Sequence, residues 1–138
     1  MKYGVVVIEE KEHELLRRFI GLSQEYKDQT YKLSVEKLRN ELLNARIVRN
    51  MDMPVDVVRM NSTVTIKTPF NVEKTYQIVT PDKSDIRKNM ISVLAPMGLA
   101  LFGYAEGDEI QWQFPAGEKA IEITKVRQPA MSLKANEL

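Results

Sequence analysis

The stretch ISVLAPMGLALFGYAEGDEIQWQFPAGE, Ile91–Glu118, decides the fold. ISVL reads as a short strand. Pro96 suits the first turn of a helix, where its missing N–H costs nothing. Gly103 suits the position just past the end, where the backbone often needs positive φ. Between them MGLALF is apolar on every side, which predicts a short helix buried all round. Turn residues follow in EGDE. Ile110, Trp112 and Phe114 then alternate with Gln111 and Gln113, the period of a half-buried strand. The stretch holds no nucleophile–base pair, no metal cluster and no phosphate loop. It reads as a scaffold that presents a surface.

The same period of two recurs on both sides. Val64 and Ile66 alternate with Thr63, Thr65 and Lys67, and Tyr76 and Ile78 with Thr75 and Gln77. Ile121 and Ile123 alternate with Glu122 and Thr124. One wet and one apolar face per strand is the mark of an antiparallel sheet. The connections TPFNVE, TPDKSD, EGDE and PAGE carry turn chemistry. The expectation is a five-stranded antiparallel sheet wrapped around one short helix. Trp112, in an alternating strand, is expected in the core. The scattered methionines are expected to fill gaps in packing.

Upstream the pattern is helical. From Glu9 to Asn50 there is no proline, and Gly21 is the only glycine. Leu15, Phe19, Leu22 and Tyr26 form one seam; Tyr31, Val35, Leu38, Leu42 and Ala45 form another. Leu16, Ile20, Leu33, Leu43 and Ile47 widen the stripes. Joined through KDQT, the two segments predict an antiparallel helical hairpin. Helices of about 15–18 residues would give it a reach of about 25 Å. Its charges are mixed, nine basic against eight acidic, the look of a solvated face. His13 lies among Glu9, Glu10, Glu12 and Glu14 and is expected to be exposed. YGVVVIEE reads as a strand or buried lead-in, with the edge of the later sheet one place it could cover. Pro54 breaks the helical pattern and pushes Met53 toward an extended conformation. The fold class is therefore α+β, with a helical hairpin over 1–53, a sheet domain over 54–128 and a tail over 129–138 that frays.

Composition excludes several function classes. The 138 residues contain no cysteine and one histidine, which removes thiolate chemistry and Cys-based zinc sites and suits a reducing cytoplasm. Val5–Ile8 is too short for a signal peptide or membrane span. With a net charge of +1, no global field draws the chain to nucleic acid. No cofactor and no metal are expected.

The words NSTVTI (Asn61–Ile66), TYQIV (Thr75–Val79), ISVLAPMGLALFG (Ile91–Gly103), GDEI (Gly107–Ile110) and PAGEKAIEITKV (Pro115–Val126) stand in this order. In words and order they resemble the C-terminal domain of the Gre family of bacterial transcription elongation factors. DVVRMNSTV and the short hairpin are similar to the Rnk branch, regulators of nucleoside diphosphate kinase with a shortened N-terminal coiled coil. The resemblance implies an FKBP-like open sheet around a helix. It also implies RNA polymerase binding, with docking on the β′ subunit coiled coil at the rim of the secondary channel. The docking turn would comprise Ser92, Val93, Leu94, Ala95, Pro96 and Met97. Ser92 and Pro96 match the family. Some members carry Asp or Asn at the position of Leu94, and most carry Ser at that of Ala95, so the patch is more apolar here.

Gre factors stimulate transcript cleavage by pushing acidic residues at the tip of a long hairpin toward the polymerase metal. Here Glu25 and Asp28, three apart, stand near the tip. Their neighbours SQEYKDQT do not align with the family's tip motif, and the hairpin is short. The expectation is binding without cleavage, by a monomer that is not itself an enzyme. Two other classes compete. FKBP-like folds include prolyl isomerases, which need an aromatic-lined pocket, yet aromatics are 7% of this chain and scattered. Lys83, Arg87 and Lys88 could touch nucleic acid weakly, but no basic run with interleaved aromatics is present.

Overall fold

A computed structural model of the chain describes residues 2–22, 29–114 and 117–129. The elements are β1 (Val7–Glu9), α1 (Glu10–Leu22), α2 (Gln29–Asn44), β2 (Arg46–Val48), β3 (Thr63–Lys67), β4 (Glu73–Val79), β5 (Met90–Ser92), α3 (Pro96–Leu101), β6 (Glu109–Phe114) and β7 (Gly117–Arg127). Mixed helices and a five-stranded sheet make the fold α+β, as the periodicities predict.

The five strands run in the order β5-β4-β3-β7-β6. Three of the four pairings are antiparallel; β4 and β5 are parallel. This departs from the all-antiparallel expectation. A parallel pair needs a crossover, and residues 80–89 supply it with two 3-10 turns, Pro81–Lys83 and Ile86–Lys88. Asn89 ends the second turn in the left-handed region at φ 56°, a conformation asparagine tolerates better than most residues. The register between β3 and β7 shifts between Thr65 and Ile66, a bulge that skips Thr124 and bends the sheet around its contents.

The lead-in is a strand, and it does not extend the large sheet. β1 pairs in parallel with β2 as a separate two-stranded sheet. Val7 N–H also donates to the Gly103 carbonyl at 3.2 Å. Gly103 combines φ +84° with a virtual Cβ only 2.9 Å from Val6 Cβ. Both its conformation and its neighbour therefore demand glycine.

His13, in the second turn of α1, bonds through Nε2 to the Leu42 carbonyl near the end of α2, at 3.0 Å. The start of one helix thus lies beside the end of the other, an antiparallel arrangement. A carbonyl only accepts, so Nε2 carries the proton. His13 is half-buried and bonded, in contrast to the expected exposed residue.

The buried stripe of α1 is Glu12, Leu16 and Ile20, rotated from the expected seam; Leu15 and Phe19 are only half-buried. The rotation has a cause. α1 packs against β1 and β2 as well as α2, so its buried face points between them. On α2 the expected Val35, Leu38 and Leu42 are buried; Leu43, and Ile47 in β2, both expected to widen the stripes, are 80% and 51% exposed. Leu22 and Tyr31 lie in helices but their side chains are outside the described residues, as is all of Tyr26.

Ile8, Leu16, Ile20, Val35, Leu38 and Leu42 belong to the same hydrophobic cluster as Ile66, Ile78, Leu99, Phe102, Ile121 and Ile123. Trp112, expected as core, is partly buried at its rim. Hairpin and sheet share one core.

Candidate functional site

The Ser92–Met97 turn is where the sheet hands over to α3. Its geometry follows from its residues. β5 lies beside β4 with Val79 opposite Ser92, and Val93 N–H donates to the Val79 carbonyl at 2.8 Å. Ser92 closes the turn twice. Its Oγ accepts from Leu94 N–H at 3.0 Å, and its carbonyl accepts from Ala95 N–H at 2.9 Å. Side-chain acceptors of this kind are why serine is favoured in turns. Ala95 is extended, φ −67° and ψ 152°, and Pro96 starts α3 at a position needing no N–H. The Ala95 carbonyl then takes Leu99 N–H at 2.8 Å.

Gly98 locks the helix onto the turn. A Cβ at this position would sit 2.3 Å from the Ser92 carbonyl oxygen and 3.0 Å from Val93 Cα. Val93 is fully buried, Ser92, Leu94, Ala95 and Met97 are half-buried, and Pro96 is exposed. Leu94 and Met97 also pack against the main core. The turn thus presents a small, mostly apolar, rigidly backed surface. Five of the residues that the sequence singles out, Ser92, Leu94, Ala95, Pro96 and Met97, stand together on it.

The basic residues Lys83, Arg87 and Lys88 are exposed in the 80–89 crossover, which packs beside β5. They are interleaved with Asp82 and Asp85. The Asp85 carboxylate caps the second 3-10 turn, accepting Arg87 N–H at 3.1 Å. A hydrogen bond from Thr80 holds the Asp82 carboxyl below its usual range. Glu25 and Asp28 lie outside the described residues. Among the described residues no group of three or more His, Asp or Glu side chains is placed to hold a metal ion, and no helix is long and apolar enough to cross a membrane.

Two polar clamps, invisible in the periodicities, fix the hairpin to this body. The first joins α1 to the loop before β3. Glu12 accepts from Arg59 Nε at 2.9 Å and from Met60 N–H at 2.7 Å. Glu9, the last residue of β1 and the one just before α1, takes Lys11 N–H at 2.8 Å, the work of a helix cap. Burial pushes the Glu12 carboxyl above its ordinary value despite Arg59 beside it. The loop that presents Arg59 is itself closed by Ser62, whose Oγ accepts Arg59 N–H at 2.8 Å and donates to Gln128 at 2.7 Å. Asn61 turns the chain at φ 70°. The second clamp joins α2 to the residue after Gly103. Tyr104 Oη donates to Glu41 at 2.5 Å, and Lys37 lies 5.7 Å from the Tyr104 ring centre. Burial, then the bond to Glu41, pushes the Tyr104 hydroxyl far above its ordinary range; burial raises Glu41 as well. In GDEI, Asp108 is buried and accepts Ala105 N–H at 2.9 Å. It is a turn brace.

Comparison with known proteins agrees with this geometry. The family described as "Transcription elongation factor, GreA/GreB, C-term" matches residues 53–128. The chain is 37% identical to transcription elongation factor GreA of Hyphomonas neptunium over 93 residues, 67% of this chain and 59% of that one. It is 34% identical to GreA of Vibrio parahaemolyticus over 119 residues, 86% of this chain and 71% of that one. The chain thus spans about three fifths of the Hyphomonas protein's length. The solved structure of the GreA/GreB elongation factor from Nitrosomonas europaea superposes with a TM-score of 0.71 at 31% identity, covering 89% of this chain and 98% of that one. The match to residues 53–128, which takes in the whole five-stranded sheet and α3, places this chain in the GreA/GreB family of transcription elongation factors.

Proposed function

We propose that this protein is an RNA polymerase-binding regulator of transcription elongation that docks through Ser92, Leu94, Ala95, Pro96 and Met97. The surface it meets is the β′ subunit coiled coil at the rim of the secondary channel. The observation that carries the reading is the turn itself: Pro96 exposed and Leu94 and Met97 half-exposed, on a backbone that Ser92 and Gly98 hold fixed. A preformed apolar patch loses little freedom when a partner covers it.

The factor binds as a monomer and does not stimulate transcript cleavage. The helices support this. α1 has 13 residues and α2 has 16, so the longer spans only about 24 Å. Its lower half is sunk in the shared core through Leu38 and Leu42. A hairpin this short, anchored this deeply, stays near the channel mouth. In this reading residues 1–53 are the short hairpin of the Rnk branch, and 54–128 are the docking module.

A pull-down with purified core RNA polymerase tests the site, comparing the wild type with Leu94→Asp combined with Pro96→Glu. The wild type is expected to co-purify and the double variant to be lost, with both showing the same thermal unfolding. Retention of the variant would move the site elsewhere. Incubation with stalled elongation complexes tests the second half; shortened transcripts would overturn it.

A further inference from the structure

A second surface lies on the hairpin, apart from the docking turn. Between α1, α2 and β2 runs an open groove of about 460 Å³. Its apolar part is Ile20, Leu42, Leu43 and Ile47; its remaining lining is His13, Arg17 and Arg39. Leu43 is 80% exposed and Ile47 51%. Both are among the large apolar residues that the core leaves exposed, and both line this groove.

We infer that this groove binds an amphipathic helix of a partner protein that carries carboxylates beside its apolar stripe. Charge decides the partner's chemistry. Among the described residues the lining includes two arginines and no acid, a net positive lining, although each arginine already has a partner of its own. Arg17 is held by Glu14 at 3.3 Å, but both side chains are more than half exposed, and exposed pairs exchange partners readily. Shape decides the partner's form. From His13 to Ile20 the groove follows seven residues of α1, about 10 Å, or two helical turns. That length suits apolar anchors at i, i+3 or i+4, and i+7. A small ligand would leave much of its surface in water against the exposed Leu43 and Ile47, whereas small-ligand pockets enclose most of what they hold.

The inference stands apart from the polymerase-docking turn. Its test is selection of a display library of random 16-residue peptides on the full chain. An enriched peptide is then measured by fluorescence anisotropy. Enriched sequences are expected to carry the helical apolar spacing with flanking Asp or Glu. Affinity is expected to fall at least tenfold when the peptide's acids become lysine. A similar loss is expected when the protein carries Leu43→Ser with Ile47→Ser, changes at exposed positions whose fold is checked by thermal melting. Arg17→Glu, outside the core, is a second variant expected to weaken the acidic peptide. Leu94→Asp with Pro96→Glu is expected to leave peptide binding unchanged, which separates this surface from the docking turn. Peptides without the pattern, or full binding by the serine variant, would overturn the inference. So would a dimer in sedimentation that the serine variant abolishes, since the groove would then belong to a second copy of this chain.

Discussion

Gly98 has no room for a side chain, and the reason lies six residues upstream. Its α-hydrogen faces the Ser92 carbonyl, where a methyl group would stand at 2.3 Å. The obstacle is backbone, which cannot swing aside. Gly98→Ala is expected to destabilise the fold by about 3 kcal/mol, the upper range for forced overpacking. It should also displace the Ser92–Met97 turn, and under the proposed function polymerase binding should then weaken beyond what the unfolded fraction explains. Chemical denaturation read beside a binding titration checks both parts. Glu12 poses the opposite case, a buried charge with its partners in place. Glu12→Ala leaves the Met60 N–H unpaired and Arg59 with only the more distant Glu9, at 3.9 Å, and should cost about 3 kcal/mol. Glu12→Gln keeps an acceptor for the Met60 N–H but removes the charge that compensates Arg59, so it should cost less than Glu12→Ala yet still destabilise. If neither substitution lowers stability in urea denaturation, the carboxylate is not the anchor that its contacts describe. Neither residue stood out in the sequence. Glu12 hides in an acidic run, and Arg59 lies 47 positions away. The GLALF pattern calls for a buried helix but does not say that Gly98 sits on a carbonyl.

At the scale of elements, what local sterics decide was legible. Pro96 and Gly103 bracket α3 because each has a restricted or permissive φ that only certain positions use. The alternations around Val64, Ile78, Ile110 and Ile121 each became a strand, and these four residues are buried. What tertiary packing decides was not legible. Period two is the same in parallel and antiparallel strands, so the parallel β4–β5 pair left no trace. The stripe of α1 rotated onto Leu16 and Ile20 because a helix facing three neighbours buries a different arc than one facing a single partner. α2 offers a direct test of which face is inside. Leu42 is 5% exposed and its neighbour Leu43 is 80% exposed. Leu42→Ala is expected to cost about 2–5 kcal/mol, and Leu43→Ala less than about 0.5 kcal/mol. Equal losses in thermal or urea unfolding would mean the helix sits in another rotation. Of the candidate site, the turn was legible as a set of residues because it is contiguous. The groove was not, since its lining comes from three separated elements.

At the scale of the whole molecule, the hairpin is part of the body. The shared core and the Glu12–Arg59 and Glu41–Tyr104 clamps tie it down on two helices, and both clamps use partly or wholly buried carboxylates. That choice has a pH signature. Burial raises the Glu12 and Glu41 carboxyls above the ordinary 4.5. Between 4.5 and the raised folded values the native state therefore binds more protons than the unfolded state. Stability must then fall as pH rises through that window. Asp56 acts in the other sense. Burial pushes it up, but hydrogen bonds from Lys2 and Tyr3 outweigh this and hold it below the ordinary 3.8. Its contribution is present above 3.8 and is lost as pH falls toward the depressed folded value. Mild acidification, short of that range, should strengthen the grip of hairpin on body. The comparison that isolates the effect is the change in urea midpoint between pH 7 and pH 5 for the wild type and for Glu12→Gln with Glu41→Gln. The wild type should gain more on acidification than the double variant, because the variant has lost both titrating groups. An identical change in the two proteins would show that these carboxylates do not govern how firmly the arm is held.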